Sequence, residues 1–255
     1  MGRDATAGRG IKSDEKLFDI VELLRDRNGA GVTEIADSLG IAKSTAHGHL
    51  TTLRDRGFVV KRDNRYHLGL KFFEYGQYVR GELDIFQSGM VVVDRLERET
   101  DEMVWLITYQ NGKAMYVYGR AGDNDINVNA LLGTRAYMHC NSGGKAILAN
   151  LSDERVDEII DQHGLPGKTD NTITDRDHLD EELARIREHG YALNLSEDIE
   201  GIQAIGVPLT VDDQIQGALS VAGPAHRMSK ERCEGEILDR LRAATDEIDL
   251  TLAYR

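Results

Sequence analysis

Residues 41–60 read IAKSTAHGHLTTLRDRGFVV, and the fold of the N-terminal part turns on them. On a wheel of 100° per residue with Ala46 at zero, Leu50 and Leu53 fall beside it and form a buried stripe. Ser44, Gly48 and Thr51 fall opposite, flanked by His47 and Thr52. The outward face is small, polar and nearly uncharged, whereas a solvated helix face ordinarily carries charges. A face of Ser, Thr, His and Gly can press closely on a surface rich in hydrogen-bonding groups. The DNA major groove is such a surface and admits one helix. Gly48 costs its helix about 1 kcal/mol relative to Ala, so its place at the centre of that face calls for a reason.

The flanking sequence extends the same reading. Ser13 is expected to cap a helix over DEKLFDIVELLRDR, with Leu17, Ile20, Val21 and Leu24 on one buried face. Thr33 is expected to cap the short helix TEIADSLG, which Gly40 ends before a tight turn. The third helix is expected over 42–57, completing a helix-turn-helix. FVVKRDNRYHLG then reads as two strands joined at Asp63-Asn64. Lys61, Arg62 and Arg65 make this hairpin basic, as a wing lying on the phosphate backbone requires. A three-helix module with no ligand gives the same helical pattern, and the basic hairpin favours DNA. His47 and His49, two residues apart on a helix, point apart and form no metal site.

Formal net charge is −13, which alone argues against nucleic acid. Its distribution argues otherwise. Residues 1–82 hold 14 Lys and Arg against 12 Asp and Glu, and the remainder holds 17 against 32. A slightly basic end joined to an acidic body suggests divided labour. Of the 31 basic residues only 9 are Lys; acid excess with scarce lysine is the pattern of salt-loving microbes. Two distant cysteines, Cys140 and Cys233, are too few for a disulfide framework and fit a reducing cytoplasm. Nothing reads as a secretory signal or membrane span.

A helix over roughly 70–80 leads to the charged, Gly-containing stretch Arg80-Gly81-Glu82, where the domain boundary is expected. Beyond it, 86–99 reads as helix, and MVWLITY (103–109) and AMYVYG (114–119) read as strands joined at Asn111-Gly112. A helix opens near Ser142, Ser152 caps another, and Thr174 with Asp177 resembles a capping box for a third, closed by Gly190. Strands follow at 191–195, 202–211 and 215–222, with Asp212-Asp213 as a hairpin turn. A last helix runs from Ser229. NSGGKA is not a phosphate loop, since Lys145 precedes Ala146 and position 139 is not Gly. It leaves Ser142-Gly143-Gly144 opening a helix, either an anion-binding end or a tight turn. Lys145 is expected to pair with a carboxylate, and His139 and Cys140 to be structural. Trp105 and Tyr109, Tyr116 and Tyr118 read as core or interface, with Trp105 or Tyr137 as alternative pocket residues. No nucleophile elbow, H-E-x-x-H or paired-Cys motif is present, and Ser220 has no identifiable base. No enzyme, metal or cofactor is expected.

The run from KSTAHGHLTTL through RYHLGLKFFEYG, then MHCNSGGKAILA, GYALNLSEDIEGIQAIGVPL and GALSVAGPAHR, resembles the isocitrate-lyase-regulator (IclR) family over residues 13–252. With the acidic composition it implies a member from a halophilic archaeon. The implied α+β architecture has a leader (1–12), a winged helix-turn-helix (13–69), a linker helix (70–83) and a GAF-like effector-binding domain (84–255) whose sheet is flanked by helices. The implied function is a cytoplasmic, ligand-responsive transcriptional regulator; the alternative is a DNA-binding protein whose second domain only oligomerises. Residues expected at a palindromic double-stranded operator are Lys43, Ser44, Thr45, His47, Gly48, His49, Thr51, Thr52, Arg54, Lys61, Arg62 and Arg65. Family members often have Arg where this chain has Gly48. The resemblance places Ser142, Gly143, Asn194, Ala204, Ser220 and Ala222 around a small organic effector, a carboxylate such as a sugar acid or an aromatic acid. Several members carry Asp, Cys and Ser at the positions of Asn194, Ala204 and Ala222, so a less polar pocket is expected. Leu70, Phe73, Tyr75 and Tyr78 are the expected seam of a homodimer or dimer of dimers.

Overall fold

The computed structural model describes residues 10–122, 131–212 and 214–253. The chain divides into two compact units that meet between Arg80 and Gly81. Residues 1–9 of the expected leader, and Asp213 of the expected Asp212-Asp213 turn, lie outside the described residues.

The first unit contains α1 (Lys12–Asp26), α2 (Val32–Leu39), α3 (Lys43–Asp55), β1 (Val59–Arg62), β2 (Arg65–Leu68) and α4 (Lys71–Gly81). Ile20, Leu24, Ile35, Ala46, Leu50 and Leu53 close its core around buried Tyr66. Two caps differ from expectation. Ser13 lies inside the first turn of α1, which Ile11 precedes, and its hydroxyl bonds Asp14. Gly31, not Thr33, precedes α2, because Glu34 reaches back to accept the Gly31 N–H at 2.8 Å. α3 ends two residues before Gly57, whose φ of +80° starts the turn into β1. At the wing tip Asp63 and Asn64 have φ of +46° and +64°, the left-handed pair that a two-residue hairpin turn needs.

The second unit is a six-stranded antiparallel sheet between two helical layers. Its elements are α5 (Asp84–Thr100), β3 (Met103–Gln110), β4 (Lys113–Arg120), β5 (Arg135–Tyr137), α6 (Ser142–Ala149), α7 (Asp153–His163), α8 (Arg176–His189), β6 (Ala192–Leu195), β7 (Ile202–Val211), β8 (Gln214–Pro224), α9 (Lys230–Arg232) and α10 (Leu238–Ala253). The strand order is β5-β4-β3-β8-β7-β6. Because side chains alternate across a strand, the sheet sorts its residues by size. Ile205, Val207, Leu219 and Val221 face one way, into the core shared with α5 and α10. Ala204, Gly206, Ser220 and Ala222 alternate with them on the face toward α6, with Ala204 opposite Ala222 and Gly206 opposite Ser220. Small residues there let α6 approach and leave space beside it.

Three local details differ from the sequence reading. β5 is only three residues, too short for alternation to reveal it. Asp175, rather than Thr174, caps α8, its carboxylate accepting the His178 N–H at 3.0 Å. The last helix is interrupted: Ser229 caps α9, but Cys233–Ile237 is π-helical around Gly235 before α10 begins. Gly235, without a Cβ, adopts φ −101° and ψ −105°, which no regular helical residue does.

Candidate functional site

In the first unit α3 presents Lys43, Ser44, His47, Gly48, Thr52 and Arg54 to solvent, with Thr45, His49 and Thr51 half-buried beside them. A Cβ built on Gly48 meets nothing within 4 Å, so no neighbour in the unit requires glycine there. Thr52 Oγ1 donates to the Gly48 carbonyl at 3.1 Å and keeps lone pairs to accept with. Thr51 Oγ1 lies 3.5 Å from His47 Nδ1, turning the other ring nitrogen outward. Lys43 and Arg62 have no ion pair among the described residues, and Lys61 lies over the Tyr66 ring at 5.5 Å. Arg65, also expected at phosphate, is engaged within the unit. Its Nη1 donates to Glu34 at 3.0 Å and its Nη2 to the Gly29 carbonyl at 2.8 Å. Those bonds hold the wing to α2 and to the turn after α1.

In the second unit a cavity of about 390 Å³ opens beside α6. Ser142, Asn194, Ala204, Ser220 and Ala222 line it, five of the six expected residues. Gly143 does not. It is buried against Ile107, and Gly206 of β7 packs on the Ser142–Gly143 peptide, where an added Cβ would lie 2.9 Å from the Gly143 nitrogen. Asn141 caps the helix, its side-chain oxygen accepting the Gly144 N–H at 2.7 Å. Ser142 and Ser220 bond each other through their hydroxyls at 2.8 Å. Asn194 accepts from the Glu197 N–H at 2.7 Å, which orients its amide nitrogen as the free end.

Lys145 is buried and donates to Glu197 at 2.8 Å and to Glu182 at 3.0 Å. Arg185 also grips Glu182. The cluster ties α6, α8 and the turn after β6 together, and through Glu197 it positions Asn194. Burial pushes the Glu197 carboxyl up against the pull of Lys145. His139 is buried with Nε2 3.2 Å from the Pro166 carbonyl, and burial lowers its pKa. Burial, with Asp198 beside it, pushes the Cys140 thiol up to about 12, so it is no ready thiolate. Among the described residues no cluster of His, Cys, Asp and Glu could hold a metal.

The two units match two models of one family: the IclR helix-turn-helix domain over residues 15–63 and the C-terminal domain of bacterial IclR transcriptional regulators over residues 77–250. The chain belongs to the IclR family. It is a helix-turn-helix transcriptional regulator that binds DNA, and not an enzyme. Among IclR relatives, it is 29% identical to the probable regulator ArcR of Halobacterium salinarum over 96% of this chain and 95% of that one. The crystal structure of Thermotoga maritima IclR superposes with a TM-score of 0.78 at 29% identity, over 96% of this chain and 100% of that one. An IclR homologue from Microbacterium hydrocarbonoxydans, crystallised with 4-hydroxybenzoate, shares the fold at a TM-score of 0.80 and 20% identity, over 95% of this chain and 98% of that one. No described helix is long and apolar enough to cross a membrane.

Sequence reasoning missed most of the cavity's charged rim. Lys113, Arg135, Lys168 and Asp198 line it, and Tyr116 joins Trp105 and Tyr137 in its wall. Lys113 follows a hairpin turn, Arg135 begins the three-residue β5, and Lys168 sits in the connection between α7 and α8. The scarcity of lysine was the one signal available, and it does not say where two lysines meet.

Proposed function

We propose that this regulator responds to a small organic acid bound beside α6. The α3 face centred on Gly48 reads the major groove, and Lys61 and Arg62 hold phosphate. The winged head (13–69), linker helix (70–83) and sensor (84–255) divide the work. The observation that carries the effector reading is the cavity itself, whose wall collects buried polar groups from α6, β6 and β8. The homologue crystallised with 4-hydroxybenzoate supports a ligand of that general size. Leu70, Phe73 and Tyr78 are 85%, 65% and 67% exposed, as a seam between paired copies requires, and a two-headed dimer suits a palindromic operator. In this reading the protein acts in the cytoplasm, on double-stranded DNA.

Mobility shift on the protein's own upstream DNA, repeated at several salt concentrations, tests the reading. Preference for that DNA over random duplex, altered by an organic acid that also raises the melting temperature, is expected. Specific binding that no acid alters, together with a cavity closed by side chains in a crystal, would favour a second domain that only oligomerises.

A further inference from the structure

We propose that α3 selects thymine, seating its 5-methyl group in the notch that Gly48 leaves on the exposed face. The inference rests on the reading above in which that face enters the major groove, and adds the base it selects there.

Among the described residues nothing asks for glycine at position 48. It lies within regular helix, and a Cβ built on it meets nothing within 4 Å. It costs α3 about 1 kcal/mol relative to Ala. What the missing side chain serves therefore lies outside the unit. The walls of the notch are the residues three and four positions away, the nearest neighbours on a helix surface: Ser44, Thr45, Thr51 and Thr52. None is longer than threonine, so the floor at Gly48 stays open to a small group. In the major groove thymine presents such a group, the 5-methyl, which the other three bases lack.

The polar groups around the notch suit an A·T pair and not guanine. Thr52 Oγ1 donates to the Gly48 carbonyl at 3.1 Å, so its hydroxyl meets DNA as an acceptor. An acceptor suits the amino group of adenine and opposes the N7 and O6 acceptors of guanine. Guanine is ordinarily read by two donors of one Arg or Lys, and this face holds neither. Lys43 lies about 140° around the helix from Gly48, and Arg54 about 120°, on the flanks. Arg54 is also bonded to Asp55, through Nε at 3.3 Å and Nη2 at 3.1 Å. Asp55 itself stands about two turns beyond the notch. His47 Nδ1 lies 3.5 Å from Thr51 Oγ1, which leaves one ring nitrogen outward, short of the pair that a guanine edge takes.

The full-length protein is used to select duplexes from a random pool at fixed salt. In the best duplex each thymine is replaced in turn by deoxyuridine, which removes the 5-methyl and keeps the base pairing. Binding of the parent and of Gly48→Ala to each duplex is read by mobility shift. At one thymine or more the parent is expected to lose about fourfold in affinity, the scale of one buried methyl. Gly48→Ala, whose own methyl fills the notch, should bind the thymine and uracil forms of that duplex equally. A duplex in which no thymine responds would overturn the inference, and so would a thymine to which Gly48→Ala responds as strongly as the parent. Methylation of guanine N7 in the same duplex keeps the wider reading separate. Interference there with no response at thymine leaves α3 in the major groove and removes the selection of thymine. Absence of both, or enrichment of no sequence at all, removes the groove reading and the inference together.

Discussion

Arg65 of the wing and Glu34 of α2 are joined at 3.0 Å, while the neighbouring wing residue Arg62 has no ion pair among the described residues. Two arginines on one hairpin therefore do different work. Glu34 accepts from both Arg65 and the Gly31 N–H, and the Gly31 bond, then Arg65, hold its carboxyl below the usual range. Arg62→Ala should weaken DNA binding on all sequences and reduce the slope of log K against log salt by about one, the signature of a lost phosphate contact. Arg65→Ala should weaken binding through a loosened wing with the slope nearly unchanged. Equal slope changes in both variants would return Arg65 to the phosphate backbone.

Gly48 supports a prediction with two signs. The open space around its Cβ position means that Gly48→Ala should stabilise the first unit by about 1 kcal/mol in chemical denaturation. The same methyl stands on the face proposed to meet DNA, so operator affinity should fall while stability rises. Unchanged affinity would leave the reading to His47, Thr51 and Thr52.

Lys145 is the centre of a buried charge cluster rather than a ligand contact. Lys145→Met removes the one cation shared by Glu182 and Glu197 and leaves Glu197 buried without its partner. A loss of about 3–5 kcal/mol is expected, the cost of breaking a buried pair from one side. Lys145→Met combined with Glu197→Gln should recover part of it. A single variant as stable as the parent would refute the positioning role.

Asp249 gives a pH signature. It lies on α10 one turn beyond Asp246, with Oδ1 buried and unbonded. Burial, then the Asp246 charge, raises its pKa from 3.8 to about 6. The folded chain thus holds this proton more tightly than the unfolded chain, and stability is lost as pH rises from about 4 through 6. Asp249→Asn should be the more stable protein above pH 6, on the order of 1 kcal/mol after allowance for solvent screening. The difference should vanish near pH 4. Denaturation of both proteins across that range reads the effect, and a difference independent of pH would refute it.

Much of the fold was legible because local chemistry fixes it. The apolar spacing of Ala46, Leu50 and Leu53 places the buried side of α3, and Asp63-Asn64 and Asn111-Gly112 place the turns between β1 and β2 and between β3 and β4. The apolar runs at 202–211 and 215–222 place β7 and β8. Caps were less legible. Glu34 and Asp175 took over from Thr33 and Thr174 because several nearby side chains can reach the same N–H groups, and only the path of the backbone selects among them. The short β5 and the π-helical turn at Gly235 leave no periodic trace.

Sequence alone thus determined which face of α3 is buried and where β7 and β8 run, since periodicity and side-chain size act over a few residues. Tertiary structure decided where charges meet. Arg65 reaches back 31 positions to Glu34, and Lys145 reaches forward 52 to Glu197. Lys113, Arg135 and Lys168 converge on one cavity from a hairpin, a three-residue strand and an irregular connection. Coulombic interaction depends on distance through space, and separation along the chain does not fix that distance until the sheet has formed.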